Sequence, residues 1–145
     1  MGHVTTRATL ILLQVFVAFT SIFGAILVVP TLPLEWLKAG PLTDYTLPAL
    51  ALGVACGGSA LVALGLLIVA PRLGGAASIV AGLFMVAFEV VEIAIVGFAL
   101  IEHGADNPQS WLQEVYLAIG AAGMALGYHL WRTEAEPRRV SRPAH

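Results

Sequence analysis

Two glutamates, Glu89 and Glu92, stand three residues apart inside a long apolar run. On a helix such positions share one face, so the pair presents two carboxyls side by side. Counted at about 1.5 Å per residue, Glu89 lies ~18–20 Å from either end of its run, and Glu92 one turn nearer to one end. A charged carboxylate at the centre of a membrane costs at least ~2.5–3.5 kcal/mol. A proton, a partner or water in a cavity must offset that cost, and the pair is expected to hold at least one proton at neutral pH. Three kinds of chemistry follow. The pair can bind a lipophilic or cationic ligand or relay protons. It can be hydrogen-bonded glue between helices, donating to Ser21, Ser59 or a carbonyl, as in a structural accessory subunit of a larger membrane complex. Or it can serve as acid and base in a membrane-embedded isomerase or oxidoreductase subunit, which no motif supports.

Small or polar stripes on the other runs are expected to converge on the pair. Gln14, Ala18, Ser21 and Ala25 share a face in the first run, and Gly53, Cys56, Ser59 and Ala60 in the second. Ser78, Gly82, Met85, Glu89, Glu92 and Val96 share one in the third, opposite Val80, Ala87, Val91 and Phe98. Glu114, Ala118, Ala121 and Ala125 share one in the fourth. The expected ligand or proton site is thus Glu89, Glu92, Ser21, Ser59, Gln14 and Met85, with Glu114, Trp36 and Tyr45 in a vestibule above it. No catalytic residue and no metal site is expected. Glu-x-x-Glu supplies two oxygen ligands, but di-iron bundles add histidines, and His103 and His129 lie far from Glu89. The residues name no cofactor.

The elements that must hold these groups are membrane helices. Hydrophobic residues make up 59% of the 145-residue chain and charged residues 11%. A soluble domain averages about 45–50% and about 25%, so a soluble globule and a disordered chain are both excluded. Apolar runs at 8–29, 47–70, 76–101 and 111–131 approach or exceed the ~20 residues that span a bilayer, where backbone groups must be satisfied within a helix. The first run is too long for a signal-peptide core and lacks an A-x-A-like site. The expected fold is all-α, an antiparallel four-helix transmembrane bundle in one domain, 1–132.

Arg7, Arg72, Arg132, Arg138, Arg139 and Arg142 fall on one side of that topology and Lys38 on the other, which puts both termini and a short 71–75 turn in the cytoplasm of a cell (inner) membrane. Glu35, Asp44, Glu102 and Asp106 lie opposite. An amphipathic outer loop, 31–46, is expected to rest on the headgroups with a short helix over 34–39. The tail, 133–145, is expected to be disordered. A lone cysteine, Cys56, excludes an internal disulfide. No basic patch is interleaved with aromatics, so nucleic acid is not an expected partner. The expected partners are the lipid bilayer, a lipophilic or cationic small molecule, and a homo- or hetero-oligomer through the Gly53/Gly57 or Gly120/Gly123/Gly127 faces.

Around the outer loop, Pro33-Leu34 with Leu37, Pro41-Leu42, Asp44-Tyr45, Pro48-Ala49-Leu50, Gly57-Gly58 and Gly82 resemble a group of small bacterial four-helix membrane proteins. The resemblance covers roughly 24–120. The layout is also distantly similar to the DoxX-like families, some of whose members are subunits of quinone-linked oxidoreductases. That similarity implies a four-helix membrane fold, and no cofactor motif accompanies it. Small multidrug exporters share the size and four spans, but their essential Glu stands in the first helix, where this chain has Gln14.

Overall fold

The computed structural model describes residues 2–32, 34, 42–103 and 110–135, with side chains described for all of these but 96–103 and 110. Every regular element among them is helical. The first rod is α1 (His3–Phe23), continued by a π-helical turn (Gly24–Val28) and a 3-10 turn (Val29–Thr31). The second is α2 (Thr46–Leu50), a π-helical stretch (Ala51–Gly58) and α3 (Ser59–Val69). The third is α4 (Pro71–His103) and the fourth α5 (Ser110–Ala135). Trp36, Lys38, the expected helix over 34–39, the Asp106 loop and 136–145 lie outside the described residues or are described only at Leu34.

Three stretches are long and apolar enough to cross a membrane: His3–Thr31, Thr46–Val69 and Pro71–Ile95. The expected fourth span at 111–131 is helical and has the length, but it falls short in apolarity because Gln113, Glu114, His129 and Arg132 dilute it. The surface is correspondingly inverted relative to a soluble protein. Leu12, Phe19, Ile26, Val62 and Val91 face outward, while Thr6, Gln14, Ser21, Ser78, Glu89 and Gln113 are buried. Large apolar side chains outside and small or polar ones inside suit a lipid solvent, where helices associate by packing and hydrogen bonding.

Contacts run from α1 to α3, α3 to α4, α4 to α5, and α5 back to α1, with α1 and α4 scarcely touching. The α4–α5 seam is the most extensive, and glycine makes it. A Cβ on Gly82 would stand 2.5 Å from the Gly120 carbonyl oxygen, and one on Gly127 would stand 2.7 Å from that of Gly75. Only bare backbones approach so closely.

The expected turn at 71–75 is instead the first turn of α4. Between the two helices Ala70 alone leaves the helical region (φ −146°, ψ 77°), as α-helical backbone is disfavoured before a proline, and Pro71 opens the helix where its missing N–H costs nothing. Gly74 then lies against the Leu67 backbone. Arg7 covers the preceding helix end. Its Nε donates to the Leu67 carbonyl at 2.8 Å and its Nη2 to that of Ile68 at 2.9 Å, satisfying C-terminal carbonyls of α3 with a cation at the negative end of the helix dipole. Leu10, Leu67 and Leu130 fill the core beside it, and His3 Nδ1 lies 3.4 Å from Glu134.

Candidate functional site

The inward stripe of α1 follows the expected spacing: Gln14, Ala18, Ser21 and Ala25 are all buried. So does the arc of α4, where Ser78, Gly82, Met85 and Glu89 are buried, Glu92 is half-buried, and Val80, Ala87 and Val91 face outward. Val96 and Phe98 lie among the side chains not described.

In α5 the faces are the reverse of those expected. Glu114, Ala118, Ala121 and Ala125 are all exposed. Gln113, Gly120, Gly123, Gly127 and Leu130 are buried, with Tyr116 between them half-buried. The reason is backbone proximity to α4, which only the glycine side of α5 permits. Alanine is apolar enough to remain outside. The Gly120/Gly123/Gly127 face is thus occupied within the chain. The Gly53/Gly57 face is too, since a Cβ on Gly53 would meet Ala25 Cβ at 3.0 Å and one on Gly57 would meet Ile22 at 2.8 Å.

The buried cluster of Val17, Ala18, Cys56, Ala60 and Met85 ends at Met85, which also borders a cavity. This chamber of about 670 Å³ is lined by Ser21, Tyr45, Glu89, Glu92 and Gln113, by Thr20 and Tyr116, and otherwise by apolar groups, Met85, Phe19, Phe88 and Leu112 among them. That volume falls within the range of small-molecule sites. Of the expected site residues, Ser21, Met85, Glu89, Glu92 and Tyr45 meet in it. Gln14 is buried below and does not line it. Ser59 does not either, because its hydroxyl donates to the Cys56 carbonyl at 3.1 Å in its own helix. Glu114 points outward, and Trp36 lies outside the described residues.

Gln113 is the residue missed from sequence. Its side chain hydrogen-bonds to the Glu92 carboxyl from across the α4–α5 seam. The signal was present: 113, 116, 120, 123, 127 and 130 alternate steps of three and four, the spacing of a helix face packed on a neighbour. Tyr45, at the chamber rim, is pushed above the usual phenol range by burial and then by the Glu92 charge. It therefore stays a hydrogen-bond donor at physiological pH. The Ser21 hydroxyl, 2% exposed, has no hydrogen-bond partner among the described residues. No Lys, Arg or His is among the chamber's described lining residues, and no group of His, Cys, Asp or Glu among the described residues is suited to hold a metal ion.

The chamber can therefore offer an organic ligand a largely apolar surface, two carboxyls, an amide and the hydroxyls of Thr20, Ser21, Tyr45 and Tyr116. Compared with family models, curated proteins and solved structures, the chain matches none.

Proposed function

We propose that this chain is an antiparallel four-helix transmembrane bundle of the cell (inner) membrane, both termini cytoplasmic, whose outer half binds a lipophilic cation through Glu89 and Glu92. The reading of α5 as the fourth span rests on its 26 residues, ~39 Å at the helical rise, and on an outer face of alanines that lipid tolerates. The orientation rests on Arg7, Arg72 and Arg132, which fall at the end where Arg7 caps α3 and His3 meets Glu134.

One observation carries the ligand reading: two carboxyls share a largely apolar chamber that has no basic side chain among its described lining residues. In a low-dielectric enclosure a carboxylate without a counter-charge is costly, and an organic cation supplies the charge together with apolar surface to fill the space. A proton relay fits less well. Below the chamber the path to the basic end runs through Val17, Ala60 and then Leu10, Leu67 and Leu130, with no further carboxyl among the buried residues there. A second reading, the carboxyls as interhelical glue in an accessory subunit, is favoured by the Gln113–Glu92 hydrogen bond, which concerns Glu92 and leaves Glu89 unexplained.

Binding of tetraphenylphosphonium to purified protein in non-ionic detergent separates the two. The wild type should retain it and release it as the pH is lowered. The doubly substituted Glu89→Gln/Glu92→Gln protein should fold and not retain it, because Gln keeps shape and hydrogen bonding but cannot carry charge. Equal retention by both proteins, with lowered melting only in Glu89→Leu and Glu92→Leu, would establish the glue reading instead.

A further inference from the structure

A second cavity adjoins the carboxylate chamber. It is a groove of about 710 Å³ between the first two rods, walled by Ala25, Ile26, Ala49, Leu50 and Gly53. Among its described lining residues none is charged, and Tyr45 and Thr46 are the polar ones. Val29, Leu32 and Tyr45 belong to the walls of both cavities, so the two spaces are separated by one layer of side chains. Both flanking rods leave the α-helical register here, at Gly24–Val28 and Ala51–Gly58. Such π-helical insertions recur at functional sites. The chamber carries a ligand signal besides its acidic pair, because Ser21, 2% exposed and without a hydrogen-bond partner among the described residues, lines it.

We infer that the ligand is a two-part amphiphile, a single-chain alkylammonium. Its cationic head lies between Glu89 and Glu92 within reach of the Ser21 hydroxyl, and its hydrocarbon chain passes Tyr45 into the groove. The inference rests on the proposed carboxylate site and adds the second compartment. The reasons are the adjacency of the spaces, which share Val29, Leu32 and Tyr45 as walls, and their opposite chemistry. A compact cation fills the chamber and leaves the groove unused, whereas a head with a flexible chain matches a charged pocket beside an uncharged one. Each methylene transferred from water to an apolar site gives about fourfold in affinity, from about 0.8 kcal/mol per CH₂.

The test uses the full chain in non-ionic micelles and a series of butyl-, octyl- and dodecyltrimethylammonium, with bound ligand counted by native mass spectrometry and corrected for partition into empty micelles. In the wild type, dodecyl should bind at least ~10-fold more tightly than butyl after correction, within what eight further methylenes allow. Filling the groove with Ala49→Phe or, independently, with Ile26→Trp should remove most of that difference and leave butyl unchanged. Glu89→Gln/Glu92→Gln should weaken both. If chain length has no effect after correction, or if neither groove variant alters dodecyl binding, the two-part ligand is overturned while the chamber reading stands. If the wild type and the Gln variant hold butyl and dodecyl equally, the carboxylate site itself is overturned.

Discussion

The basic end and the acidic end of the molecule are built from the same stock of glycine, alanine and aliphatic residues, but one is solid and the other hollow. At the basic end, Gly75 and Gly127 bring two backbones together, three leucines fill the remaining space, and Arg7 closes off a helix end. At the acidic end, the first two rods widen into π-helical turns. Phe19 and Phe23, 67% and 47% exposed, border the chamber, and Ser21 is the buried group of the first rod that lines it. Small inward residues therefore have two opposite consequences. Where the facing helix also offers glycine, the backbones close and exclude everything. Where it offers long carboxyl side chains, the space between becomes a chamber. Solidity at one end holds the helices at fixed spacing, which is what lets the other end remain open.

The largest effect should come from breaking the solid seam. In Gly82→Ala the new methyl would meet the Gly120 carbonyl oxygen at 2.5 Å and the Met124 backbone nitrogen at 3.1 Å. Neither is the end of a flexible side chain, so the helices themselves must part. Overpacking of this kind costs about 1–3 kcal/mol, and backbone contacts put it at the upper end. Gly123→Ala is the control on the same seam, since its added methyl meets nothing nearer than the Ser78 carbonyl oxygen at 4.0 Å. Melting in detergent should fall sharply for the first variant and stay near the parent for the second. Equal melting of the two would mean that the seam is not packed as described.

The next effect belongs to Arg7. Arg7→Met keeps much of the apolar stem and removes both hydrogen bonds to the α3 carbonyls, at about 1.5 kcal/mol, the lower figure for charged donors because the group is half-exposed. Melting should drop while tetraphenylphosphonium retention by the folded protein stays unchanged. A lost ligand with an unchanged melting curve would show that the two ends are coupled in a way the closed core does not suggest.

A smaller pair of substitutions sharpens the assignment of the α5 faces. Gln113→Leu removes the hydrogen bond to Glu92 and should lower stability by about 1 kcal/mol. Glu114→Leu, on the exposed face, should stay within about 0.5 kcal/mol of the parent. Reversal of that order, read from melting curves, would restore the face that composition alone suggests.

Those neighbours also mark where sequence reasoning stopped. The stripes of α1 and α4 were legible because each carries an uninterrupted helical alternation between large outward and small or polar inward groups. In α5 both faces are built from small residues, so hydropathy does not rank them. Glu114 and Gln113 are both polar, so polarity does not rank the faces either. What decides between the faces is how near α4 lies, a property of two helices and not of one. Pro71 was legible as punctuation but not as the opening of a helix, because a proline stops one helix and starts another with the same chemistry. The π-helical turns left no periodic mark. They occupy stretches where nearly every residue is apolar or glycine, and a change of register there moves no polar group to the wrong side. The carboxyl pair was visible at once, while the hollow around it depends on packing that no single segment encodes.

The smallest expected effect lies at the mouth of the hollow end. Asp44 accepts the backbone N–H of Thr46 at 2.8 Å, an Asx turn that leads the chain into α2. This bond holds the exposed Asp44 carboxylate below its usual range, chiefly through the Thr46 backbone and then its side chain. The folded state therefore binds this proton less readily than the unfolded one. Stability from the group is present in full above the unfolded value of about 3.9 and is lost as pH falls through the lower folded value. Asp44→Asn keeps an acceptor for the turn but carries no charge. The difference in melting temperature between parent and variant should be constant from about pH 7 to pH 5 and shrink only below about pH 4, where the unfolded carboxyl begins to protonate. High salt should reduce it at every pH, because the group is fully exposed. A difference that persisted undiminished at pH 3 would assign the loss to turn geometry and not to charge, and would remove electrostatics from the account of how the second rod begins.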